Sequence, residues 1–164
     1  MAQYSREEFE AKVQSGENLE NVDLSNLDLR NAKLKGANLS KSKLTSVRLG
    51  GADLRQTNLS KADMAWSNLD QANLESADLT ETILYDSSLQ EADLSNANLT
   101  RVDLGEANLT KANLTGANLS EAELSQTNLT DANLSGANVR GSNIDQALMT
   151  KSAVDLRGAT RPDG

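Results

Sequence analysis

Any chemistry in this chain would have to come from carboxylates and hydroxyls. The sequence holds 24 Asp and Glu against 16 Lys and Arg, with no histidine and no cysteine. A serine or threonine nucleophile needs a base within reach. Without imidazole or thiolate, no set of nucleophile, base and orienting group can be named, so the chain reads as a non-enzyme. Gly50-Gly51 is not a phosphate-binding loop, because it falls where a bend of the chain explains it. The carboxylates remain, as metal ligands or as a charged surface. A metal needs several converging oxygens. The candidate pairs are Asp86 with Glu106 and Asp103 with Glu123, each 20 residues apart. On the flat outer wall that would carry them they do not converge, so the expectation is no metal and no cofactor.

The element that would bring residues twenty apart together is a repeat of five. From Leu19 to Val154 an apolar residue occupies every fifth position, 28 in all, of which 23 are Leu and the others Met64, Val139, Ile144, Met149 and Val154. Two residues before the centre, in the 27 slots from Val22 to Ser152, stand 15 Ala, with Ser, Thr, Val and one Leu (Leu27) in the rest, and between the two stands Asn or Asp in 20 of 26 cases. A period of five suits neither a helix, which advances by roughly 500° over five residues, nor a continuous strand, which would reverse its face at every step. It suits a three-residue extended side followed by a two-residue corner. Seven of the ten glycines fall in the corner slots of the repeat, where freedom of φ helps a tight bend. The outward Asn and Asp are best read as bonding to the backbone.

The pattern resembles the pentapeptide-repeat family, whose motif is A(D/N)LXX, over about residues 17 to 156. The closing Ala159-Thr160-Arg161-Pro162-Asp163-Gly164 resembles the tails of cyanobacterial members. The resemblance implies an all-β fold, a right-handed quadrilateral β-helix of four repeats per coil and about seven coils. On that basis the chain divides into a capping segment at 1–16, the β-helix at 17–156 and a tail at 157–164.

Residues 1–16 break the period. Ser5-Arg6-Glu7-Glu8 fits a capping box, Tyr4 and Phe9 fit a hydrophobic staple, and Gly16 fits a stop. The reading is a helix over residues 6–14, either a lid on the open first coil or a docking element for a partner. Val22 and Leu27 enlarge the first coil where it would meet that lid. At the other end Leu148 and Leu156 fall out of phase, Leu156 in a corner and Arg157 in an inward slot. There the tail caps the last coil, or two such coils meet in a dimer.

With a formal charge of −8, direct binding to a nucleic-acid backbone is not expected, since that needs clustered Lys and Arg. No apolar run reaches the length of a membrane span and no signal segment follows Met1, so the expected setting is the cytoplasm. If four repeats make a coil, each repeat belongs to one of four faces. The face that starts at Leu24 carries −6, while the other three carry −1, 0 and −1. Its acids are Asp23, Asp63, Asp86, Asp103, Glu106, Glu123 and Asp145, with Lys43 its single base. The same face holds three misfits, Trp66 and Tyr85 in corner slots and Ile83 in place of the outward Asn or Asp. They read either as an apolar patch within an acidic wall or as drift on a solvated face.

Two functions follow. One is a non-enzymatic scaffold that binds another protein, a basic one, through Trp66, Ile83, Tyr85, Asp63, Asp86, Asp103, Glu106 and Glu123. The other is suggested by family members that mimic DNA and act on type II topoisomerases such as gyrase. Against it stand the leucine centres, where those members use mostly Phe, and a coil with no interrupting loop.

Overall fold

The structure, a computed structural model, describes residues 3–145 and 154–160. Its backbone is a right-handed, four-sided β-helix. Parallel bridges run between residues twenty apart on all four sides, as in Asp23–Lys43–Asp63–Ile83–Asp103–Glu123. Four repeats per coil are therefore present, and the assignment of repeats to faces holds as far as Asn138.

One repeat, Ala107-Asn108-Leu109-Thr110-Lys111, accounts for the pattern. Leu109 N–H donates forward to the carbonyl of Asn128, and Asn108 N–H donates back to that of Ser87, tying the coil to both neighbours. Lys111 N–H donates to the carbonyl of Thr130, and Ala112 N–H closes the corner onto Leu109. The N–H left over, that of Thr110, is accepted by the Asn108 side chain at 3.1 Å. Asn or Asp before the leucine thus satisfies the fifth backbone donor. Among the described residues the second corner residue is left-handed from Asn21 to Gly141, at φ +60° in Lys111 and φ +67° in Gly116. Twenty non-glycine residues share that conformation. Each carries some strain relative to glycine, which the repeated hydrogen bonding offsets.

Leucines and the small inward residues form one continuous core along the axis, buried from Leu19 to Ile144. Where Thr replaces Ala inside, its hydroxyl donates to a corner carbonyl. Thr82 reaches Leu59 O at 2.8 Å and Thr127 reaches Leu104 O at 2.8 Å. A polar atom is thereby accommodated in an apolar column.

The helix α1 spans Arg6–Gln14, with Ser5 as N-cap and a complete capping box to Glu8. Glu17 N–H bonds back to Lys12 O, and Gly16, at φ +73°, ends the helix as expected. Phe9 is fully buried as part of the core, and Tyr4, Val13 and Leu27 are half-buried against that core. Gln3 takes the place of a preceding coil: its N–H donates to Asp23 O at 2.6 Å and its side chain accepts from Asp23 N–H. On the Asp23 side the first edge is paired.

The C-terminal register differs from the sequence reading. Asn133 bridges Asp155 and Asn138 bridges Thr160, in each case twenty-two residues on. Two extra residues have entered the coil, so Leu156, expected in a corner, stands in the leucine column beyond Leu134. Val154 takes the small inward slot, and Arg157 is a corner residue rather than an inward one. Val154-Asp155-Leu156-Arg157-Gly158 is a regular repeat, with Arg157 N–H bonded to Asp155 Oδ1 at 3.0 Å and Gly158 at φ +70°. The expectations placed on Leu148, Met149 and residues 161–164 lie outside the described residues. No helix among the described residues is long and apolar enough to cross a membrane.

Candidate functional site

The face built on Leu24, Leu44, Met64, Leu84, Leu104, Leu124 and Ile144 brings all the singled-out residues onto one wall. Asp63, Ile83, Asp103 and Glu123 form one column, joined by successive bridges. Trp66, Asp86 and Glu106 form a second column at the corner, each in the left-handed conformation. Trp66 is 59% exposed and Ile83 42%, the two large apolar side chains that face solvent among the described residues. Trp66 shares its backbone conformation with the other corner residues, so exposure, and not strain, sets it apart.

Tyr85 behaves differently from the sequence reading. It is half-buried, and its hydroxyl donates to the Glu106 carboxylate one coil on. That bond and the neighbouring acids raise the phenol above its ordinary range. Gly105 lies directly beneath: a Cβ there would stand 3.2 Å from the Tyr85 ring. On the other side Ala65 occupies the same slot and is buried. Small residues at minus and plus twenty from Tyr85 are the signal that could have shown a ring lying along the wall.

Ile83 also leaves a backbone donor without its usual cap. The face beyond the next corner answers a similar loss: Ser88 replaces Asn, and Asp70 from the previous coil accepts from Gln90 N–H at 3.0 Å. No such substitute caps Tyr85 N–H among the described residues.

The charges of this wall are arranged unlike those of the others. Elsewhere acids and bases alternate between coils: Glu81 lies between Lys61 at 3.6 Å and Arg101 at 3.3 Å, and Arg101 reaches Glu121 at 2.9 Å. Arg30 and Arg48 flank Asp28, whose carboxyl is held down to about 2 chiefly by its bond from Arg30. Among the described residues no acid of the Leu24 face has an ion-pair partner. Asp103 caps Gly105 N–H and Glu123 caps Ser125 N–H. Glu123 is lowered by its bonds from Ser125 and from Asn143, which are neutral groups. No cluster of potential metal ligands occurs among the described residues. Clefts of about 360 and 590 Å³ lie at the ends of the rod, beside Gly16 and Val154, away from this wall.

A family model described as pentapeptide repeats matches residues 18–51, 48–86, 87–126 and 107–146. Among solved structures, HetL from the cyanobacterium Nostoc sp. strain PCC 7120, a protein involved in heterocyst differentiation regulation, is 23% identical over 99% of each chain, with a TM-score of 0.53. Full-length QnrB1, a plasmid-mediated fluoroquinolone resistance protein, is 17% identical over 88% of this chain and 84% of its own, with a TM-score of 0.59. The pentapeptide repeat protein alr5209, also from Nostoc, is 30% identical over 70% of this chain and 80% of its own, with a TM-score of 0.35. No curated protein sequence matches the chain. At their identities, HetL and QnrB1 are likenesses of fold.

Proposed function

The chain belongs to the pentapeptide-repeat family, and from that premise we propose that it is a non-enzymatic scaffold whose acidic wall binds another protein of basic surface. The observation that carries this is the contrast between faces. Three faces hold the coil's ion pairs, while among the described residues the Leu24 face keeps its carboxylates without ion-pair partners and exposes Trp66 and Ile83 beside them. Unpaired charge hastens encounter with a basic partner, and large apolar side chains at the centre of a charged surface serve as anchors. Asp63, Asp86, Asp103, Glu106 and Glu123 supply the charge; Trp66, Ile83 and the seated Tyr85 supply the apolar contact.

The triple variant Trp66→Ser, Ile83→Asn, Tyr85→Ser restores the repeat consensus and tests the site. Used as bait in extracts of the source organism, it should keep its fold and lose the partner that the parent chain captures. Full retention of that partner by the folded variant overturns the assignment. The topoisomerase reading has less support. Likeness to QnrB1 is one of fold, the outward column is broken by Lys43 and Ile83, and the coil runs without a loop from Leu19 to Ile144. In a gyrase supercoiling assay the protein is expected to leave the activity unchanged.

A further inference from the structure

The spacing of the wall says what shape of partner it fits. We infer that the partner presents an amphipathic α-helix along the rod axis, one turn apolar and the following turns basic. This rests on the reading of the Leu24 face as the protein-binding face.

The wall is polarised along the axis. Trp66 stands on the coil of Met64, and its N–H bonds to the carbonyl of Tyr85 on the next coil, which also carries Ile83 and Asp86. Asp103 and Glu106 follow on the third coil and Glu123 on the fourth. Apolar side chains therefore occupy the first two coils of this stretch, each beside one carboxylate (Asp63, Asp86), and the last two coils present carboxylates alone. On the far side of the apolar end lies Lys43, bridged to Asp63. It repels a basic segment that would overrun in that direction.

Parallel-bridged coils are about 4.8 Å apart, so four coils span about 14 Å. Residues on one face of an α-helix recur every three or four positions, at steps of about 5 Å, and about ten residues cover the same distance. Helical side chains thus drift by about 0.6 Å per coil, or about 2 Å over the four coils, which flexible Arg and Lys stems absorb. An extended segment presents same-side residues every ~6.7 Å and falls a whole coil out of step within three coils. Width agrees as well: a three-residue side plus its corners is about 10 Å across, near the diameter of a helix. A second copy of this chain would set acid against acid, and nucleic acid or an anionic membrane would be repelled in the same way.

The sole tryptophan of the chain is Trp66, so its emission reports directly on the wall. The probe is a synthetic peptide of about 16 residues, free of aromatics, with leucines on one helical turn and arginines on the same face of the next two turns. Two controls have the same composition, one scrambled and one with a proline exchanged into the centre. The patterned peptide should shift Trp66 emission to the blue and bind at least about tenfold more tightly than either control, more weakly as salt rises. The variant Asp86→Asn, Asp103→Asn, Glu106→Gln, Glu123→Gln keeps the capping bonds and should lose about tenfold or more. Equal binding of all three peptides overturns the helix and leaves the basic-partner reading standing. If no peptide moves the emission, the helix inference falls, and the bait experiment with the triple variant decides separately whether the wall binds protein.

Discussion

The ring of Tyr85 lies over Gly105, one coil further on, with its hydroxyl bonded to Glu106 in the neighbouring corner slot. This seat fixes the ring along the wall, leaving Ile83 and Trp66 as the more exposed members of the patch. Gly105 is not in the left-handed region, so alanine is conformationally allowed there. Its Cβ would stand 3.2 Å from both the ring and Asp103 Oδ1. Gly105→Ala should change stability by less than about 1 kcal/mol, since lower unfolded-state entropy opposes the crowding. It should displace the ring, seen as a change in the Tyr85 ring proton shifts. An unmoved ring would show that the seat is looser than the geometry states.

Ile83→Asn restores a cap to Tyr85 N–H and removes an exposed apolar side chain. It is expected to raise stability by about 0.5–1 kcal/mol in chemical denaturation, the typical net value of a hydrogen bond. A destabilised variant would mean that Ile83 is held in place by packing, and the case for it as a contact residue would weaken.

Phe9 closes the first coil. Phe9→Ala should cost about 3–5 kcal/mol, and Ser5→Ala, which removes the helix cap, about 1 kcal/mol. Deletion of residues 1–16 exposes the first edge and should promote aggregation. A soluble monomer with an unchanged melting temperature would leave α1 with no role as a lid, and the docking reading of that helix would return.

Acid stability follows from the bonded carboxylates. Asp28 and Asp155 are depressed to about 2 by bonds from Arg30 and Arg157, and Asp23, Asp53, Glu20 and Glu123 are lowered too. A group whose folded pKa lies below its unfolded value of about 4 stabilises the fold above pH 4 and stops doing so as pH falls through the folded value. The melting temperature should therefore be level from pH 5 to 8 and drop between about pH 4 and 2. These groups are solvent-exposed, so salt should shrink the drop. A melting temperature that rises on acidification would contradict the assignment.

In a coil of fixed length every neighbour lies at a constant offset along the chain. The five-residue period therefore states in one dimension which residues share a face, and Asp63, Ile83 and Asp103 could be placed in one column from the sequence. Helix α1 was legible for a local reason, because its capping box and stop signal act within a few residues. The tertiary structure alone decided what depends on a break in the offset or on a choice between equivalent partners. Two extra residues before Val154 move Leu156 into the core column, and the period by itself could not show where the chain absorbs them. Arg101 could pair along its column or reach across a corner, and Tyr85 could stand out from the wall or lie along it. Only side-chain packing against Gly105 and the nearness of Glu106 settle the second choice, because a hydrogen bond is made where two groups meet in space.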